Sequence, residues 1–61
     1  MISETWRSFR EGDKIKIFYR TGAQEFCVFV SFNYAGIFTV GEDGKSFYVP
    51  YSSIEKMRLD N

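Results

Sequence analysis

The chain has no histidine, one cysteine and no net charge, and each of these features excludes a class of protein. Its eight basic and eight acidic residues cancel, so it lacks the positive field of a non-specific duplex binder. Cys27 is the only cysteine, so it has no disulfide partner within the chain, and without histidine an ordinary zinc site cannot be assembled. We therefore expect no disulfide framework and no metal site, and interpret Cys27 as a small buried hydrophobic residue.

Long apolar runs are also missing. No segment approaches the roughly 20 apolar residues that cross a bilayer, and the sequence does not begin with the charged and then apolar pattern of a secretory signal. These features predict a soluble, cytoplasmic protein with no membrane partner.

The groups that perform general acid–base catalysis are scarce. Glu42 and Asp43 are adjacent, but they lie in the segment GEDG, whose composition is typical of a solvated turn. The same segment lacks the spacing of a phosphate-binding loop. We expect no enzymatic activity and no small-molecule cofactor.

Aromatic residues, in contrast, make up 20% of the 61 residues. A domain of this size buries only about 60% of the surface of its unfolded chain, so several rings must lie at the surface or at an interface. In a strand, even- and odd-numbered residues point to opposite faces. The segment GAQEFCVFVSFN is apolar on both parities, with Phe26, Val28 and Val30 on the even side and Cys27 and Phe29 on the odd side. One small sheet buries one face, so we expect other copies of the chain to cover the second.

The positions of apolar residues predict one short helix followed by strands. Ile2, Trp6 and Phe9 have the spacing of one helical face, which predicts a helix over residues 1–10. Alternation and turn residues then predict five strands, at about 13–20, 24–32, 37–40, 45–49 and 54–59, although the last segment is also compatible with one helical turn. The predicted fold is mainly β: a single domain over residues 1–61, with a strongly bent, five-stranded antiparallel small barrel over 13–59.

These motifs resemble the Sm-like family. That family's first signature runs Asn-Gly, eight residues, Ser-Phe-Asp and an apolar strand, and here Thr21-Gly22, eight residues, Ser31-Phe32-Asn33 and residues 37–40 follow the same spacing. The segment VPYSSIEKM corresponds to the second signature. The resemblance covers residues 3–59 and implies a ring of about five to seven copies, in which the fourth strand of one copy pairs with the fifth of the next.

The chain departs from the family at the positions that hold a uridine base. Asn33 replaces the aspartate of the first signature, Ile37 its asparagine, and Pro50-Tyr51 the Arg-Gly of the second. Cys27 stands in place of a glycine. The resemblance therefore implies the fold and the ring without the usual uridine pocket.

A weaker resemblance links FREGDKIKI and VPYSSIEKM to Src-homology-3-like barrels, which include the plasmid-type dihydrofolate reductase. The pore-lining run of that enzyme would fall on residues 46–49, where its glutamine and tyrosine have no counterparts. This resemblance therefore does not imply dihydrofolate reductase activity for the chain.

Two functional hypotheses follow. The first is a homo-oligomeric ring of subunits that binds RNA or single-stranded DNA through Asn33, Tyr34, Lys45 and Tyr51. In this hypothesis the aromatic side chains at the turns provide stacking platforms for bases. The alternative is a non-enzymatic oligomeric interaction or structural module of viral or mobile-element origin. In both, the predicted subunit interface contains Phe26, Val28, Phe47, Tyr48 and Met57. Lys14, Lys16 and Arg20 alternate along the first strand and are interpreted as its solvated face, with a phosphate-contacting stripe as the alternative.

Overall fold

The computed structural model describes residues 8–60, and its strands form one antiparallel sheet of five strands. They are β1 (Lys14–Tyr19), β2 (Gln24–Phe32), β3 (Gly36–Gly41), β4 (Ser46–Pro50) and β5 (Ile54–Leu59). Their spatial order is β4-β3-β2-β1-β5. The prediction of five antiparallel strands is confirmed, and the ambiguous last segment is a strand. Pro50 is the last residue of an edge strand, where its missing N–H costs no ladder bond.

A short connection joins the two edges of this sheet. β4 leads into β5 through three residues in 3-10 conformation, Tyr51–Ser53. In a flat sheet, four interstrand steps would separate β4 from β5 by about 19 Å, whereas even a fully extended chain from Pro50 to Ile54 spans only about 14 Å. The sheet must therefore curl until its edges approach.

Hydrogen bonds tie the 3-10 turn to both halves of the curled sheet. The Tyr51 N–H donates to the Ala35 carbonyl at 3.0 Å, and the Arg20 N–H donates to the Ser53 carbonyl at 3.1 Å. The Arg20 side chain adds a bond from Nε to the Ser52 carbonyl at 3.0 Å. The turn thus joins the end of β1 to the connection between β2 and β3.

The concave face of the sheet contains the core. Its four fully buried isoleucines come from three strands, Ile15 and Ile17 of β1, Ile37 of β3 and Ile54 of β5. One polar side chain, Thr39, is buried among them, and its hydroxyl donates to the Phe47 carbonyl at 3.2 Å. That bond satisfies a group whose burial would otherwise be unfavourable.

β2 shows how a strand that is apolar on both parities is accommodated. Cys27 and Phe29 point into the core and are buried, whereas Phe26 on the other parity is 43% exposed. The register with β3 shifts between Phe29 and Ser31, and such a bulge bends the strand and increases its twist. The second parity of β2 is therefore left on the convex face.

The predicted N-terminal helix over residues 1–10 lies largely outside the described residues. Within residues 8–60 there is no α-helix, and residues 9 and 10 are not helical, so this part of the prediction is not supported. The Arg10 N–H donates to Asp13 Oδ2 at 2.8 Å, and Gly12 adopts a φ of 97°. This turn directs the chain straight into β1. Phe9 is nevertheless buried, edge-on against Phe29.

Substitution of Gly36 tests how closely the backbones of β3 and β4 approach each other. A Cβ at this position would lie 2.4 Å from the Val49 carbonyl oxygen and 2.8 Å from Pro50 Cα, both backbone atoms. We expect Gly36→Ala to lower the free energy of unfolding by about 1–3 kcal/mol, measured by urea denaturation. The matched control is Gly41→Ala, whose Cβ would meet the side chains of Asp43 and Phe47 at 3.1 and 3.4 Å. Equal losses for the two variants would contradict the steric explanation.

Candidate functional site

The turn between β2 and β3 is organised by the side chain of Asn33. Its Oδ1 accepts hydrogen bonds from the N–H groups of Ala35 and Gly36, both at 2.9 Å, and from the Tyr48 hydroxyl at 3.1 Å. An amide oxygen has two lone pairs, so three donors saturate it. Asn33, which was predicted to contact nucleic acid, has a structural role here.

The two tyrosines predicted to contact nucleic acid lie beside Asn33 but differ in exposure. The Tyr51 hydroxyl donates to the Asn33 carbonyl at 2.7 Å, and its ring packs partly against the core. Tyr34 is 97% exposed. Of the two rings, Tyr34 therefore offers the larger free surface for stacking.

Lys45 lies apart from this group. It occupies the turn between β3 and β4, where its N–H donates to Asp43 Oδ1 at 3.0 Å. Asn33, Tyr34 and Tyr51 lie at the other end of β3, and six strand residues span about 20 Å. The structure brings three of the four predicted residues together and leaves Lys45 at the opposite end of the hairpin.

The predicted interface residues also fall into two groups. Phe47 and Met57 are partly buried against the core on the edge strands β4 and β5, and Tyr48 lies on the convex side of β4. Phe26 and Val28 lie on β2, the middle strand of the sheet. Contact between edges would involve the first three, whereas the two β2 residues are reached only by a ligand or partner on the convex face.

Tyr48 belongs to an exposed aromatic pair on that face. Its ring centroid lies 4.8 Å from that of Phe38, its direct partner across β3 and β4. The two rings are 40% and 42% exposed. Phe38 was not singled out by the sequence, because its contact with Tyr48 depends on the strand register.

A second group on the convex face combines cations with rings. Lys16 Nζ lies 5.0 Å from the ring centroid of Phe18 and 4.9 Å from that of Phe26. Lys56 Nζ and Arg58 Cζ lie 4.8 and 5.6 Å from the Phe18 centroid. The cross-strand pairing of Lys16 with Arg58 and of Phe18 with Lys56 brings these side chains of β1 and β5 together. We call these five residues the cation–ring cluster.

Sequence reasoning identified only Lys16 and Phe26 of this cluster and did not place them together. Phe18 interrupts the polar side of β1 that Lys14, Lys16 and Arg20 form. The available signal was Lys56 and Arg58, which have the same alternation on β5, but their neighbours are fixed by a pairing between the first and last strands.

The concave side carries two titratable groups with shifted pKa values. The Tyr19 hydroxyl donates to Glu25 Oε1 at 2.6 Å, and burial together with this carboxylate raises the pKa of Tyr19 well above its usual range. Burial raises the pKa of Cys27 to about 11. Both groups keep their protons at neutral pH, which makes Cys27 a poor nucleophile.

Within residues 8–60, no three acidic, histidine or cysteine side chains lie close enough to hold a metal ion. Over the same range, no helix has the length and apolar character needed to span a membrane.

Comparison with known proteins identifies no relative: no family model, no curated protein and no solved structure matches the chain.

Substitution of Asn33 tests its structural role. Asn33→Ala removes the acceptor of three hydrogen bonds, so we expect a loss of about 1–2 kcal/mol in the free energy of unfolding. Asn33→Asp keeps an acceptor oxygen in place and should remain within about 0.5 kcal/mol of the parent protein. Chemical denaturation at pH 7 measures both. A similar loss in the two variants would show that the acceptor is not what stabilises the turn.

Proposed function

We propose that the protein is a self-associating Sm-like small barrel that forms a ring of about five to seven copies. The observation that carries the proposal is the pair of edge strands: within residues 8–60, β4 and β5, of five and six residues, lie at opposite edges of the sheet and each pairs on one side only. Edges of this kind favour pairing with another chain. The resemblance to the Sm-like family supplies the partner strand, since there the fourth strand pairs with the fifth of the next copy.

The alternation of hydrogen bonds along each edge strand identifies the backbone groups available for this pairing. Gly41 N–H bonds the Lys45 carbonyl at 2.9 Å, so the alternation of an antiparallel ladder directs the backbone groups of Ser46 and Tyr48 away from β3. Asp60 N–H bonds the Lys14 carbonyl at 2.8 Å, which by the same alternation directs those of Met57 and Leu59 away from β1. Two such rows are complementary.

Side chains near the edges support the same proposal. Tyr48 and Leu59 are 40% and 44% exposed, and Phe47 and Met57 are only partly buried. Pairing of β4 with β5 of a neighbouring copy would remove apolar surface of all four from water. Association then adds stability that a chain of 61 residues has difficulty obtaining alone.

The ligand we propose is single-stranded RNA or DNA, bound by stacking on Tyr34. This ring is 97% exposed on a turn that three hydrogen bonds to Asn33 Oδ1 hold in place. An exposed ring on a turn of fixed conformation offers a platform to any base. A ring of copies would present one such platform per subunit.

The second candidate is an oligomeric interaction module that binds no nucleic acid. It is favoured by the internal use of Asn33 Oδ1 and the Tyr51 hydroxyl, since those groups are then not free to contact a base. Filter binding of oligo-U and oligo-A over a range of salt concentrations separates the two candidates. Nucleic-acid binding should weaken steeply as salt rises, whereas an interaction module should retain neither oligonucleotide.

Proline at Ser46 tests the edge pairing. Ser46→Pro removes an N–H that points away from β3 and leaves the bonds of β4 to β3 in place. We expect light scattering at micromolar concentration to show a fall from about five to seven times the 7.2 kDa subunit mass towards one. The reason is that the proline ring occupies the edge and the donor is lost.

Ser46→Ala is the matched control, because it removes the same hydroxyl and keeps the N–H. It should retain the mass of the parent protein. Leu59→Pro repeats the test on β5 and should act in the same direction. A parent protein that is a well-folded monomer at micromolar concentration would refute the ring.

Tyr34 is tested by removing its ring or only its hydroxyl. Tyr34→Ala should weaken binding of a fluorescent oligo-U by about tenfold, in the range expected for one base stacked on one ring. Tyr34→Phe keeps the ring and should bind within about twofold of the parent. Fluorescence anisotropy measures both. Equal affinity of the alanine variant and the parent would remove Tyr34 from the proposed site.

A further inference from the structure

We propose that the cation–ring cluster on the convex face is a binding surface for the phosphate backbone of single-stranded nucleic acid. The proposal rests on the nucleic-acid ligand proposed above and gives it a second contact surface, separate from Tyr34. It requires neither the ring of copies nor the Asn33 turn.

The cluster concentrates positive charge on a neutral protein. The cationic groups of Lys16, Lys56 and Arg58 all lie within 5.6 Å of the centroid of one ring, that of Phe18. Attraction to the ring face is favourable for each cation and holds the three side chains in one place. Three like charges gathered in this way repel one another, and a polyanion relieves that repulsion.

Three carboxylates, those of Glu25, Glu42 and Asp60, lie at the margin of this surface or away from it, and Glu55 is exposed directly before Lys56 on β5. Glu42 and Asp60 border the shallow groove that runs past Lys14 and Phe26, on the side away from Phe18. Glu25 lies on the core side of β2 and accepts a bond from Tyr19. The three cations gathered over one ring make the cluster a local positive region on a chain of zero net charge.

Phe26 favours nucleic acid over an acidic protein as the partner. Its ring is 43% exposed on the convex face and lies next to Lys16, its direct partner on β1. A cation beside an exposed ring fits a phosphate followed by a stacked base. An acidic peptide would satisfy the cations and leave this ring without a matching group.

The surface is compatible with the ring of copies. Pairing between edges uses backbone groups of β5, whereas Lys56 and Arg58 project from the convex face next to Phe18. Each copy in an assembly would therefore present its cluster to solvent, and a strand of nucleic acid could run from one cluster to the next.

The test is the double variant Lys56→Ala/Arg58→Ala, with anisotropy of fluorescent oligo-U measured over a range of salt concentrations. Each phosphate contact on a single strand contributes about 0.7 to the slope of log K against log salt. Losing two contacts should lower the magnitude of that slope by about 1.4 and weaken binding at 0.1 M salt by about 25-fold. Arg10→Ala, which removes one exposed cation outside the cluster, is the control for loss of charge elsewhere on the chain and should change affinity by less than about twofold.

A second variant separates stacking from charge. Phe26→Ala should weaken binding while the salt slope stays that of the parent, because a ring contributes no counterion release. Since Phe26 is exposed, circular dichroism should show an unchanged fold.

The outcomes distinguish this proposal from the proposed function. If the parent binds oligo-U and the double variant has the same affinity and slope, the surface is refuted and the Tyr34 platform stands. If polyglutamate displaces oligo-U at equal charge concentration, the surface is one for acidic proteins and the proposal is wrong. If the parent binds no oligonucleotide at low salt, both proposals fall.

Discussion

The short connection between β4 and β5 is the constraint on which the rest of the structure depends. Three residues join strands that lie at opposite edges of a five-stranded sheet, and a flat sheet would separate them by about 19 Å. The sheet must curl, and curling encloses the isoleucines of the concave face. The bulge in β2 between Phe29 and Ser31 permits the bend. The same curl sets two edges and a convex face towards the outside, and these are the surfaces from which a function can be argued.

The convex face leaves several aromatic rings partly exposed to water. Phe26, Phe38 and Tyr48 are each 40% to 43% exposed, which leaves apolar area unburied in a chain that has little to spare. On one half of the face, cations lie over the rings of Phe18 and Phe26. On the other half, Phe38 and Tyr48 cover one another. Both arrangements shield ring surface only partly, and a partner would shield it further.

Much of the fold could be predicted from local pattern, because strands and turns in this chain are set by neighbouring residues. The bounds of β2 follow directly from its apolar run between Gly22 and the Asn33 turn. The helix prediction over residues 1–10 rested on three apolar positions, and the described residues 9 and 10 are not helical but lead into the turn at Gly12 and Asp13. The site was harder to predict. The approach of Lys56 to Phe18 depends on strand order and register, which local patterns do not specify. The separation of Lys45 from Tyr34, in contrast, follows from the length of β3, which lies between them in the sequence.

If the protein binds nucleic acid as proposed, the chemistry of the Asn33 turn limits how that ligand is recognised. Reading a base requires free donors and acceptors that match its edge, and the Asn33 oxygen already accepts three hydrogen bonds within the turn. The Tyr51 hydroxyl is likewise bonded to the Asn33 carbonyl. The groups proposed to bind instead are the exposed Tyr34 ring and the cations of the cation–ring cluster, which fit the faces of bases and phosphates. Because every base has a face and every nucleotide a phosphate, binding of this kind discriminates weakly between sequences. The same internal bonds that stabilise the turn therefore favour a sequence-tolerant ligand over a uridine-specific one.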